Sequence, residues 1–228
     1  MTRPRSSVGV YPIPLAEDRA IVVACLGSSS TAGKGQAFDW IGEMKRRPRN
    51  ANYRFCNFGV GGDLSYNALR RVSDVLACGP DKVVVWVGAN DVLMSVSDTV
   101  RRFFRVLKDL PAEPSPEWFR ENISAIVDRL KNESSARVAL CSLFPIGEAP
   151  ASTNPFQSEL NRCLEEYSAI IKSVATEQGV SYIPLHESML AQIRASPGPA
   201  FNPFDFFRSI ATPSAFSSSE RHQMRLPG

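Results

Sequence analysis

The sequence predicts an α/β protein with a doubly wound, five-stranded parallel sheet, and three observations predict it. Short apolar runs recur along the 228 residues, with amphipathic stretches of helical period between them. The runs at 82–87 (KVVVWV) and 137–143 (RVALCSL) are nearly continuous rather than alternating, as strands buried on both faces are. Three successive runs end in glycine-bearing loops with a small polar group, at the carboxyl edge where ligands bind in such sheets.

The first strand is 21–26 (IVVACL), and it runs into Gly27-Ser28-Ser29-Ser30-Thr31-Ala32-Gly33. A helix follows over 36–46. The second strand, 53–57 (YRFCN), leads into Phe58-Gly59-Val60-Gly61-Gly62-Asp63. The next helix, 65–77, has apolar residues at Leu69, Val72, Val75 and Leu76, one stripe of a 3.6-residue period. The third strand is 82–87 and ends in Gly88-Ala89-Asn90-Asp91. After a proline-rich connection at 109–117, a helix over 117–131 puts Phe119, Ile123, Ile126, Val127 and Leu130 on one face. The fourth strand is 137–143. A helix over 156–178 aligns Leu160, Leu164, Tyr167, Ile170, Ile171 and Val174, and the fifth strand occupies 180–184. Right-handed crossovers between parallel strands place helices on both faces of the sheet, a three-layer sandwich. Residues 1–19 read as a polar N-terminal extension, 20–195 as the α/β domain, and 196–228 as an irregular tail rich in Pro, Ser and Phe. There is no internal repeat.

Composition narrows the function classes. Hydrophobic residues make up 43% of the chain, enough for a sizeable core, and the net charge of +3 is too mild to argue for nucleic acid. The densest basic run, Lys45-Arg46-Arg47-Pro48-Arg49, reads as a solvated helix end. No apolar run approaches the roughly 18 residues of a membrane span, and the polar N-terminus lacks a signal-peptide core. Five cysteines at 25, 56, 78, 141 and 163 form no Cys-x-x-Cys pair, so they read as free thiols of a cytoplasmic protein and not as a disulfide or zinc framework.

The three strand-end loops carry the chemistry. A hydroxyl, a backbone N–H in a Gly-Gly turn and an asparagine amide are the parts needed to attack a carbonyl and stabilise the oxyanion that forms. Each also has a plainer reading: Ser29 as a helix cap, Gly62 as a turn residue, Asn90 as an Asx-turn. All three on one sheet edge favour the chemical reading.

In these loops the chain resembles the SGNH hydrolases, also called the GDSL esterase/lipase family. Gly27-Ser28-Ser29-Ser30-Thr31 is similar to that family's Gly-Asp-Ser-x-Thr block, with Ser28 in place of the aspartate. Asn57 through Gly62, followed by Asp63 and Ser65, resembles its second block, and Gly88-Ala89-Asn90-Asp91 its third. The resemblance spans roughly residues 20–185. It implies a flavodoxin-like sheet and ester hydrolysis through an acyl-enzyme, without metal or organic cofactor, on a small-molecule ester. It implies Ser29 as nucleophile, with its own N–H, the Gly62 N–H and the Asn90 side chain as the oxyanion hole. Asp91 is expected to support its loop rather than react.

A second reading of 27–35 is a phosphate-binding loop. It fits less well: five residues, not four, separate Gly27 from Gly33, and Gly35 stands where a magnesium-binding hydroxyl belongs.

The base must come from one of two histidines. In the family resemblance the last block is Asp-x-x-His, and Ser219-Glu220-Arg221-His222 lies at the matching end, with serine in the aspartate's place. His222 is therefore the expected base. His186, directly after the fifth strand, is the alternative, at a position where the family pattern starts a helix. The missing aspartate keeps a further reading open, a catalytically impaired relative that binds a small acyl or carbohydrate ligand. The aromatic cluster Phe201, Phe204, Phe206 and Phe207 reads either as packing onto the body or as an acyl-chain lining.

Overall fold

The structure is a computed structural model, and it describes residues 19–34, 37–147 and 154–198. Five strands form one sheet: β1 (Ile21–Gly27), β2 (Tyr53–Gly59), β3 (Lys82–Trp86), β4 (Arg137–Cys141) and β5 (Ser181–Ile183). Their order is β2-β1-β3-β4-β5 and every pairing is parallel, so the predicted five-stranded flavodoxin-like sheet is what the chain forms. The strand order reverses at β1, which pairs with β2 on one side and β3 on the other. That switch point opens a crevice beyond the strand ends. Register aligns Gly27 with Gly59 and with Trp86, so the first three loops leave the sheet side by side.

Alternation along the strands sorts two cores. Ala24 and Leu26 of β1 and Val83 and Val85 of β3 join a large cluster with Leu64, Ile123, Ile126, Leu130, Leu160 and Tyr167. Val23 and Cys25 face the other way, onto Ile41, Trp40, Tyr53, Phe55 and Val84. The large core is roofed by α3 (Ser65–Arg70), α4 (Val72–Ala77), α5 (Ala89–Val96), α7 (Pro116–Glu133) and α8 (Pro155–Glu177). The opposite face carries α2 (Trp40–Arg46), with the edge of α9 (Leu185–Ala195) nearby through Leu185 and Met189. The two long helices start where their sequences say they should. Ser115 accepts from the Trp118 N–H and Asn154 from those of Phe156 and Gln157, each with proline at the first helical position.

Two expected helices have different bounds, and two further helices appear. The helix expected over 65–77 breaks at Arg71, whose backbone leaves helical values because its side chain turns inward to the loops. The helix expected over 36–46 begins only at Trp40, where Asp39 caps it by accepting from the Gly42 N–H. Helices α5 and α6 (Asp98–Leu107) are additions to the predicted set. Val100 and Phe104 of α6 are buried, but arginines flank them and mask the apolar stripe. The Lys45–Arg49 run is exposed, as expected.

Candidate active site

Strand β1 delivers Ser29 to the first position of the four-residue helix α1 (Ser29–Ala32). Ser28, not Ser29, is the N-cap residue, and it makes no side-chain cap bond. Its carbonyl accepts from the Thr31 and Ala32 N–H groups, at 3.1 and 2.9 Å, and Gly33 N–H donates to the Ser29 carbonyl. Ser29 is therefore not spent on capping. The same bonds commit three amides that a bound phosphate would need, which counts against the phosphate-loop reading. Ser29 is half-buried and lines a cavity of about 850 Å³ with Trp40, Phe55, Trp86, Phe144 and Met189. Trp40 is fixed there by its indole N–H, which donates to the Ser30 carbonyl at 3.1 Å, and by an edge contact to Trp86.

The second loop lies against the first. A Cβ on Gly59 would sit 2.1 Å from the Ala32 nitrogen, so only glycine lets the end of β2 touch α1. Asn57 ties the same two elements, donating to the Ala32 carbonyl at 3.2 Å and accepting from the Gly59 N–H at 2.8 Å. Val60 N–H closes the corner on the Gly27 carbonyl. The chain then turns through Gly62, at φ +75, where a side chain would be strained.

The third loop locks onto the second. Asn90 is buried near the start of α5, and its amide donates to the Asp63 carbonyl at 2.8 Å. That cross-loop bond, rather than an Asx-turn, is what its side chain makes; an amide carries a second N–H for another acceptor. Asp91 is buried and accepts from Ser65, at 3.0 and 3.2 Å from the backbone N–H and 2.5 Å from the hydroxyl. Asn122 donates to that hydroxyl at 3.3 Å. Burial pushes the Asp91 carboxyl up to about 7, against the Ser65 hydrogen bonds. Asp91 thus holds the start of α3 in place, consistent with a supporting role.

A buried ionic cluster backs the loops, and the sequence reading did not single it out. Asp63 meets Arg71 at 2.6 Å and Lys108 at 3.1 Å. Burial raises the Asp63 carboxyl above its ordinary range, with the Arg71 and Lys108 cations beside it working against that shift.

The two histidines fare differently. His222 and the phenylalanines at 201, 204, 206 and 207 lie outside the described residues. His186 sits in the first turn of α9, the helix start that the family pattern expects there. Its backbone N–H donates to the Ser142 hydroxyl at 2.9 Å, and its Nδ1 lies 2.8 Å from the Leu143 carbonyl. A carbonyl only accepts, so Nδ1 carries the proton. His186 lines a separate cavity of about 350 Å³ with Arg162 and Arg194, one in which Ser29 takes no part. Among the described residues no group of His, Cys, Asp and Glu is arranged to hold a metal ion, and no helix is long and apolar enough to cross a membrane.

A 2-1-3-4-5 parallel sheet with a serine turn, a Gly-Gly turn and a buried Gly-x-Asn-Asp loop at adjoining strand ends is the architecture of the SGNH-type ester hydrolases. The chain belongs to the GDSL-like lipase/acylhydrolase family, whose profile matches residues 25–204, and its class is that of a carboxylic ester hydrolase. Solved structures of the same fold include the acetyl xylan esterase AlAXEase, 22% identical, at a TM-score of 0.58 over 89% of this chain and 96% of that one. They also include Axe2, an acetylxylan esterase from Geobacillus stearothermophilus, 15% identical, at a TM-score of 0.61 over 87% and 97%. A third is a lipase/acylhydrolase from Enterococcus faecalis, 20% identical, at a TM-score of 0.55 over 90% and 91%. No curated protein matches the chain.

Proposed function

We propose that this chain hydrolyses a small-molecule carboxylic ester through an acyl-enzyme on Ser29. The observation that carries the proposal is the stitching of three loops at neighbouring strand ends. Ser29 is freed from capping, Gly59 packs on α1, and Asn90 is bonded to the residue after Gly62. In this reading the Ser29 Oγ attacks the ester carbonyl and forms a C–O bond while its proton passes to His222. The oxyanion is received by the Ser29 N–H, the Gly62 N–H and the second amide hydrogen of Asn90. Collapse of the tetrahedral intermediate expels the alcohol, which takes the proton from His222, and water then releases the acid by the same steps in reverse. Each oxyanion donor is typically worth about 2.7–4 kcal/mol in the transition state. The chemistry calls for no metal or organic cofactor. Five unpaired thiols fit a reducing, cytoplasmic setting.

A fluorophosphonate probe tests the assignment. It is expected to label the wild-type chain at Ser29 and to leave Ser29→Ala unlabelled; equal labelling of both removes Ser29 as nucleophile. One sequence observation favours a second reading. Ser219 stands where the base's orienting aspartate belongs, and loss of that partner costs about 10⁴ in kcat in a triad enzyme. A chain that binds acyl or carbohydrate ligands without turning them over would then show no p-nitrophenyl acetate hydrolysis. Turnover that is lost in His222→Ala rejects that reading.

A further inference from the structure

Lys108 is a buried charged residue that the mechanism does not use. It follows the last turn of α6, and its side chain is only 3% exposed. A buried ammonium is costly unless its donors are met, and an apolar residue of the same size usually serves stability as well or better. Its position gives it a different use. Lys108 Nζ donates to the Gly61 carbonyl at 2.8 Å and to Asp63 Oδ1 at 3.1 Å. The Gly61 carbonyl and the Gly62 N–H belong to one peptide unit. In a trans peptide the two point in opposite directions. A cation on the oxygen therefore fixes the plane in which the N–H points away from it. Drawing electron density toward that oxygen also makes the N–H a stronger donor, the cooperativity of linked hydrogen bonds.

The lysine is itself held. Its backbone carbonyl accepts from the Asn67 amide at 3.1 Å, while Asn67 Oδ1 accepts from the Leu64 N–H. Its stem lies against Gly62, where a Cβ would come within 2.9 Å of Lys108 Cε. Arg71 completes the frame. It donates to Asp63 Oδ2, to the Phe58 carbonyl at 2.8 Å and to the Gly27 carbonyl at 3.3 Å, bracketing the turn from the β1 and β2 sides. Two cationic side chains, Arg71 and Lys108, thus stand behind the Gly62 turn.

We propose that Lys108, backed by Arg71 through Asp63, is a positioning residue that orients and polarises the Gly61–Gly62 peptide as an oxyanion donor. The proposal rests on the ester-hydrolase reading above. The test compares wild type with Lys108→Met, which keeps the length and removes the charge, and with Lys108→Gln, which keeps a donor. The readouts are p-nitrophenyl acetate kinetics per folded molecule and the affinity of phenylboronic acid, which becomes a tetrahedral anion on a serine hydroxyl. A lost oxyanion donor costs about 10²–10³ in kcat. A misoriented donor is expected to cost about tenfold in Lys108→Met, with KM unchanged, boronate affinity falling by a similar factor, and a smaller loss in Lys108→Gln. A variant that loses thermal stability but keeps wild-type kcat and boronate affinity overturns the proposal and leaves the hydrolase reading standing. If Lys108→Met does not fold, Lys108→Gln carries the same comparison. Absence of both turnover and boronate binding in wild type overturns the hydrolase reading, and this proposal with it.

Discussion

At the scale of single residues, Asp91 makes a claim that solution measurements can check. Its carboxyl titrates near 3.8 in an ordinary setting and is pushed up to about 7 by burial in the folded chain. The folded state therefore binds this proton more tightly than the unfolded state does. Stability from the group is whole below about pH 4 and is lost as the pH rises through about 7, a loss on the order of a few kcal/mol. Asparagine at this position can accept from the Ser65 N–H and donate to its hydroxyl without titrating. Asp91→Asn is thus expected to flatten the fall of folding stability between pH 5 and pH 8, with its penalty largest at pH 5. Urea denaturation at the two pH values measures this. An unchanged slope in the variant removes Asp91 as the titrating group.

Elements show where sequence reasoning succeeds and where it stops. The strands were legible because β3 and β4 are apolar over consecutive positions, and α7 and α8 because their buried residues fall on one helical stripe. The end of α3 and the break at Arg71 were not, because the break comes with long-range bonds to Phe58, Gly27 and Asp63 that no local pattern encodes. Helix α6 escaped for a related reason: its buried Val100 and Phe104 lie among arginines, and Lys108 looks like any solvent-facing lysine. Of the candidate site, the loop residues 29, 62 and 90 stood out by residue type, while the ionic cluster behind them became visible only once Asp63, Arg71 and Lys108 were brought together. Local signals that were legible should also be local in energy. The Ser115 hydroxyl accepts from the Trp118 N–H at 3.2 Å to start the 18-residue α7. Ser115→Ala is expected to cost about 1 kcal/mol in urea denaturation. A cost within a few tenths of zero means the cap contributes nothing.

For the whole molecule, the sheet divides the described residues unevenly. One face carries a large closed core, and the other a small cluster bordered by the cavity of about 850 Å³ that Ser29 lines. Strand β3 samples both sides with the same residue type in alternation. Val83 and Val85 are 0% and 2% exposed in the large core, while Val84 is half-buried beside the cavity. Removing two methyl groups from Val85 forfeits their transfer energy and leaves a void that packed neighbours cannot close. Val85→Ala is therefore expected to cost about 2–3 kcal/mol. Val84 already borders open space, so Val84→Ala loses part of the transfer term and creates little new void, about 1 kcal/mol. Because the two positions are adjacent, strand propensity and edge effects are the same for both, and the difference isolates the face. Equal costs in denaturant titrations of the two variants mean that both faces of the sheet are closed alike, and that the open surface beside Ser29 is not a property of the folded chain in solution.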